Sequence, residues 1–291
     1  MNDFFDLDCF LLDPKLPKKA SKDYVHTWLE YKIDVLKDNE GNKVKDPDSS
    51  DGARYFYKEL WGERLGITVR ECRNKFSRRP SKYVQGDWMC SVATTFRKGL
   101  ILFVKDNDEW ESELKKLQEK YHLKRKPNNN VGGSKIYGEI LLKDMKKEAA
   151  KQKFQDFWED EVLQNFIRFA YTSANLIIVP DGFNSARLKH TEDYWDRTLE
   201  YYFEYFNPEA PRVYKNCDVG TPFHTLVDKS REHSDRLFLN EWLDQENKPK
   251  MLPNKNPTSM EEWRDLMAEM TRRIKCRREQ MAQYIAQLQN E

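Results

Sequence analysis

The chain has 291 residues and 34.9 kDa, is 34% charged and 38% hydrophobic, and sets 50 Lys and Arg against 49 Asp and Glu. That balance excludes a strongly basic nucleic-acid coat, and no apolar run approaches the roughly 18 residues that a membrane helix needs. A mean hydropathy of -0.92 would indicate disorder in a chain poor in large apolar groups, but 8 Trp, 14 Tyr and 16 Phe supply the burial that offsets conformational entropy.

The length allows one elaborated domain, read here as a mixed half with a small sheet over 1–135, a helical half with one buried strand over 136–257, and a long C-terminal helix over 258–291. The start, Met1-Asn-Asp-Phe-Phe-Asp-Leu-Asp8, is acidic where a secretory signal is basic, so a cytoplasmic protein is expected. Cys9, Cys72, Cys90, Cys217 and Cys276 are odd in number and form no C-x-x-C pair, which argues for reduced, structural thiols and against a cysteine-rich zinc site.

In chain order, Phe4, Phe5, Leu7, Phe10, Leu11 and Leu12 make an apolar edge expected to form a strand or extended arm, ending at Pro14 and Pro17. Ser21 is placed to cap a helix through Tyr24, Trp28 and Tyr31. Residues 37–50 are polar with Gly and Pro at turn positions, hence a surface loop, and an aromatic helix is expected from about Asp51 to Trp61. Between Gly66 and Val104, short β-branched and aromatic runs, the last being Leu100-Ile-Leu-Phe-Val104, predict a few strands of a small sheet.

Trp110, Leu114, Leu117 and Tyr121 predict an amphipathic helix over 107–122, followed by a loop over 126–134. One long helix is expected over 146–174, then a buried strand, Leu176-Ile-Ile-Val179, stopped by Pro180, Asp181 and Gly182. Further helices are expected over 191–206, 222–231 and 236–244. Ser259-Met-Glu-Glu262 reads as a capping box opening the last helix, whose stripe of Trp263, Met267, Met270, Ile274, Met281, Ile285 and Leu288 is interrupted by Arg277. The whole is therefore an α+β fold: a mostly helical single domain with a small, mainly antiparallel sheet.

Several groupings carry chemistry. Arg70, Arg73, Lys75, Arg78, Arg79 and Lys82 alternate with Phe76 and Tyr83, the combination that neutralises phosphates and stacks bases. Asn184, Arg187 and Arg197 surround the turn after the 176–179 strand, where guanidinium groups can clamp a phosphate or carboxylate, unless the Asp193–Arg197 spacing marks an ion-paired helix start. His224, Asp228 and His233 are spaced so that an acid can orient an imidazole for general-base work, but they complete no metal signature, and no metal or cofactor is expected. Gly132-Gly-Ser-Lys135 lacks the spacing of a phosphate-binding loop.

Asp46-Pro-Asp-Ser49, followed by Arg54, Tyr55, Tyr57, Leu60 and Trp61, sets carboxylates and a guanidinium beside aromatic residues, or forms a turn and helix cap docked in the core. A second basic run, Arg272, Arg273, Lys275, Arg277 and Arg278, lies on the last helix, whose stripe suits self-association.

Asp46-Pro-Asp-Ser49 with Arg54-Tyr55 and Leu60-Trp61, and later Asn184-Ser-Ala-Arg187 with Asp193-Tyr-Trp-Asp-Arg-Thr-Leu-Glu200, resemble motifs of an uncharacterised bacterial family of unknown function. The resemblance implies a bacterial or phage-borne cytosolic protein and supplies no reaction; where that family carries a glycine pair, this chain has Ala174-Asn175. The leading expectation is a binding protein for an anionic partner, either nucleic acid or a phosphorylated small molecule. The alternatives are an enzyme on a phosphate-containing or carbonyl substrate with His224 or His233 as base, and a helical interaction module over 259–291.

Overall fold

The computed structural model describes residues 3–18, 23–62, 84–105, 112, 154–180, 199, 238–246, 248–252 and 256–289. The first segment is not a strand. A short 3-10 turn, Asp3–Phe5, leads into further turns, because Asp6 accepts the Asp8 N–H (3.1 Å) and Asp13 the Lys15 N–H (3.0 Å), offering the backbone local partners in place of a ladder. The arm docks through Phe4, Leu7, Phe10, Leu11 and Leu12, all buried, and through bonds from Ser173 Oγ to the Phe4 carbonyl (2.7 Å) and from Leu11 N to the Tyr171 carbonyl (2.9 Å).

Helix α1 (Asp23–Lys32) buries Tyr24, Val25, Trp28 and Leu29, a spacing that keeps one face inward. Helix α2 (Asp51–Tyr57) opens on Ser50, whose hydroxyl accepts the Ala53 N–H at 3.1 Å, and runs into a π turn, Lys58–Gly62, that buries Leu60 and Trp61. The loop before it is hairpin-like, with Lys37 bridged to Lys43 and Gly41 at a φ of +79° that an L side chain disfavours.

Strand β1 (Val84–Trp88) pairs antiparallel with β2 (Leu176–Pro180), Val84 opposite Pro180 and Trp88 opposite Leu176. Leu176, Ile177, Ile178 and Val179 are all fully buried, so β2 is covered on both faces, as its unbroken apolar run requires.

The stretch expected as a strand at Leu100 to Val104 is instead the end of helix α3 (Val92–Val104). Ser91 caps it through the Thr94 N–H, and Val92, Phe96, Leu100 and Val104 are buried at helical spacing. A short continuous apolar run does not distinguish strand from buried helix, and here the cap decides.

The helix expected over 146–174 is divided within the described residues: residues 154–158 are helical, Asp160 accepts the N–H groups of Val162 and Leu163 (3.0 Å each), and helix α4 (Glu161–Ala170) starts afresh. A 3-10 turn, Ser173–Asn175, then delivers the chain to β2. Buried Gln164 joins these parts, accepting the Val25 N–H near the open end of α1 and donating to the Trp158 carbonyl at 2.9 Å. Residues 238–244 form turns and not the expected helix, with Phe238 at a φ of +57° and Leu243 bridged to Pro249.

Helix α5 (Met260–Leu288) begins as expected. Ser259 Oγ accepts the Glu262 N–H (3.2 Å), and Glu262 reaches back to Thr258, accepting its N–H (2.7 Å) and hydroxyl (2.9 Å). Its stripe of Trp263, Leu266, Met267, Met270, Ile274 and Met281 is fully buried against α3, α4 and the 173–175 turn. Buried residues from all of these elements form one hydrophobic cluster, and the protein is a mostly helical α+β domain with a small antiparallel sheet. No described helix is long and apolar enough to cross a membrane. The expected helices over 107–122, 191–206 and 222–231 lie outside the described residues, save Ser112 and Leu199.

Helices α3 and α5 approach closely at Gly99, beside the Trp263 indole: a Cβ on Gly99 would lie 2.1 Å from two ring carbons. Gly99→Ala should therefore destabilise the domain by ~1–3 kcal/mol although Ala is the better helix former by about 1 kcal/mol. Urea denaturation measures this, and pairing the change with Trp263→Leu should recover part of the loss; equal stability of Gly99→Ala and the parent would show that the helices are not packed in this register.

Candidate functional site

The residues 46–50 fold as a capped turn because Asp46, Ser49 and Ser50 each bond the local main chain. Asp46 caps a 3-10 turn, Pro47–Ser49, and the Arg54 guanidinium donates to the Ser49 carbonyl (3.1 Å) and to the Asp51 carboxylate (2.9 Å). The expected cap and the expected gathering of carboxylates beside aromatic rings are both present. The Tyr57 hydroxyl, from α2, donates to the Asp48 carbonyl at 3.1 Å, and the Trp88 indole, from the end of β1, donates to Asp46 Oδ1 at 2.9 Å. Tyr31 of α1 lies close enough for the Asp46 carboxylate to add to the rise that burial gives its phenol.

Asp87 completes the group from β1. It is only 5% exposed, and one of its carboxylate oxygens accepts the Trp88 N–H (2.9 Å). The turn lies against β1, and Tyr57 crosses that strand at Gly86, where a Cβ would fall 1.8 Å from the phenol oxygen. Glycine at 86 is what lets the phenol reach the turn.

Burial pushes the Asp48 carboxyl up from its ordinary 3.8 to about 8, the nearby Asp46 and Asp87 carboxylates add to the rise, and a hydrogen bond with Ser49 opposes it. Burial also raises the phenols of Tyr31, Tyr57 and Tyr171, so these hydroxyls stay neutral donors. With its carboxyl raised this far, Asp48 keeps its proton at neutral pH, and the Trp88 ring that bonds Asp46 lies 4.9 Å from the Tyr171 ring. Among the described residues no three His, Cys, Asp or Glu are grouped to hold a metal ion.

The cations of the second basic run are engaged by the chain itself. Arg272 pairs with Glu269 (2.8 Å) and Glu241 (3.1 Å), and Arg273, 3% exposed, pairs with Glu269 and donates to the Lys250 carbonyl at 2.8 Å. Arg277 is wholly buried on the carbonyls of Ala174 (2.7 Å) and Leu176 (2.5 Å). Arg278 grips Asp8 through Nε (2.7 Å), and the Lys275 ammonium lies 4.6 Å from the Phe169 ring centre. Glu269, one turn earlier on the same helix, and the buried carbonyls of Ala174 and Leu176 hold Arg273 and Arg277 inward.

Arg70, Arg73, Lys75, Arg78, Arg79 and Lys82 lie outside the described residues, as do Asn184, Arg187 and Arg197, and His224, Asp228 and His233. The 132–135 loop does too.

Sequence reasoning named Arg277 as a break in a stripe and a member of a basic run, and gave no role to Asp87 or Asn175. Arg277 stood at core spacing between Ile274 and Met281, so its burial was signalled by the stripe it seemed to interrupt. Asp87 and Asn175 gave no comparable signal, because Asn175 bonds Cys90, 85 positions away, and Asp87 acts on Asp48, about forty positions away. Comparison with known proteins finds no matching family model, no matching curated protein and no matching solved structure.

Proposed function

We propose that the chain binds an anionic partner, nucleic acid or a phosphorylated small molecule, through the 70–82 run. The observation that carries this reading is local charge: the run holds Arg70, Arg73, Lys75, Arg78, Arg79 and Lys82 against a single acid, Glu71, in a chain whose net charge is only +1. The 272–278 run, by contrast, is matched cation by cation with Glu269, Glu241, Asp8, backbone carbonyls and an aromatic ring. Phe76 and Tyr83 within and beside the first run add flat surfaces on which bases stack. The interaction-helix reading is weaker, because the stripe of α5 is spent on the chain's own core.

Binding of a labelled single-stranded oligonucleotide, followed by fluorescence anisotropy, tests the proposal. Neutralising about five phosphates should cost about a hundredfold in affinity between 50 and 200 mM salt, and Arg78→Gln with Arg79→Gln should lower the slope of log affinity on log salt by about 1.4. Competition by inorganic polyphosphate at equal phosphate concentration would point to small phosphorylated ligands. A flat salt response, or a slope unchanged in the double variant, overturns the proposal.

A further inference from the structure

We draw no further inference here: the strongest candidate, the 46–50 turn where it meets β1 beside Tyr57 and Trp88, rests on the raised Asp48 carboxyl alone, and nothing else among the described residues shows what the turn would bind or do.

Discussion

Replacing Arg277 with Ala should cost the domain ~3–5 kcal/mol, the range for removing one member of a buried charged network. The side chain is fully buried in the stripe of α5, and its NH1 donates to the carbonyls of Ala174 and Leu176, where the 3-10 turn passes into β2. Truncation removes the donor from both carbonyls in a place water does not reach, and each buried acceptor left unmatched costs ~1–3 kcal/mol. It also opens a cavity the size of a long side chain between Ile274 and Met281.

Arg277→Met separates these effects. It refills most of the volume, so it should be less damaging than Ala, and the loss that remains measures the unmatched carbonyls. Arg277→Lys keeps the charge and one donor nitrogen but not the planar guanidinium that positions Nη1 between the two carbonyls, and should fall between wild type and Met. Arg264, half-exposed and paired with Asp160 at 2.6 Å, is the comparison: its truncation should cost no more than about 1 kcal/mol. Chemical denaturation of the four variants ranks them, and an Arg277→Ala protein within about 1 kcal/mol of wild type would falsify the structural role.

Two helix starts were legible in the sequence from their caps. Ser259 with Glu262 and Ser50 before the aromatic helix mark their elements because the signal is local, a hydroxyl three residues from an otherwise orphaned N–H. The β2 strand was legible for the opposite reason, since an apolar run bounded by Pro180 has few alternatives. The failures came where local chemistry was ambiguous. Leu100 to Val104 suits a strand or a buried helix, and the Ser91 cap eight residues before Gly99, with the packing of Gly99 on Trp263, settles it as helix. Within 146–174, Asp160 looked like one more polar residue on a helix, yet its carboxylate takes two N–H groups and resets the chain.

The candidate site was half legible. Asp46-Pro-Asp-Ser49 could be picked out because a turn and its carboxylates are contiguous, but the third carboxyl arrives from β1 and the aromatic wall from α1, α2 and the end of α4. The two basic runs looked alike as strings of letters. Glu269 sits one turn before Arg273, but the carbonyls that hold Arg277 and the aspartate that holds Arg278 belong to distant segments. Charge counting along a chain therefore overstates surface charge wherever a helix carrying the run also carries the core stripe.

Asn175→Ala should be as damaging as Arg277→Ala, at ~3–5 kcal/mol, although the side chain is small. Asn175 is fully buried and uses both ends of its amide on main chain: Oδ1 accepts the Cys90 N–H at 2.9 Å, and Nδ2 donates to the carbonyls of Cys90 (3.1 Å) and Ala170 (2.7 Å). Its own carbonyl accepts the Met89 N–H at 2.8 Å, which carries the β1–β2 ladder one residue further. One side chain thus joins the end of α4 to the bend between β1 and α3, segments 85 positions apart for the Cys90 bonds. Alanine leaves an N–H and two carbonyls without these partners in the interior. Asn175→Asp distinguishes hydrogen bonding from volume. It nearly preserves shape and still accepts from Cys90, but it turns the donor end into an oxygen facing two carbonyl oxygens. At neutral pH Asp should therefore destabilise at least as much as Ala, and acidification should recover part of the loss by restoring one donor. If Asp is tolerated better than Ala at neutral pH, the site needs only to be filled, and the amide's three bonds are not what holds α4 against the sheet.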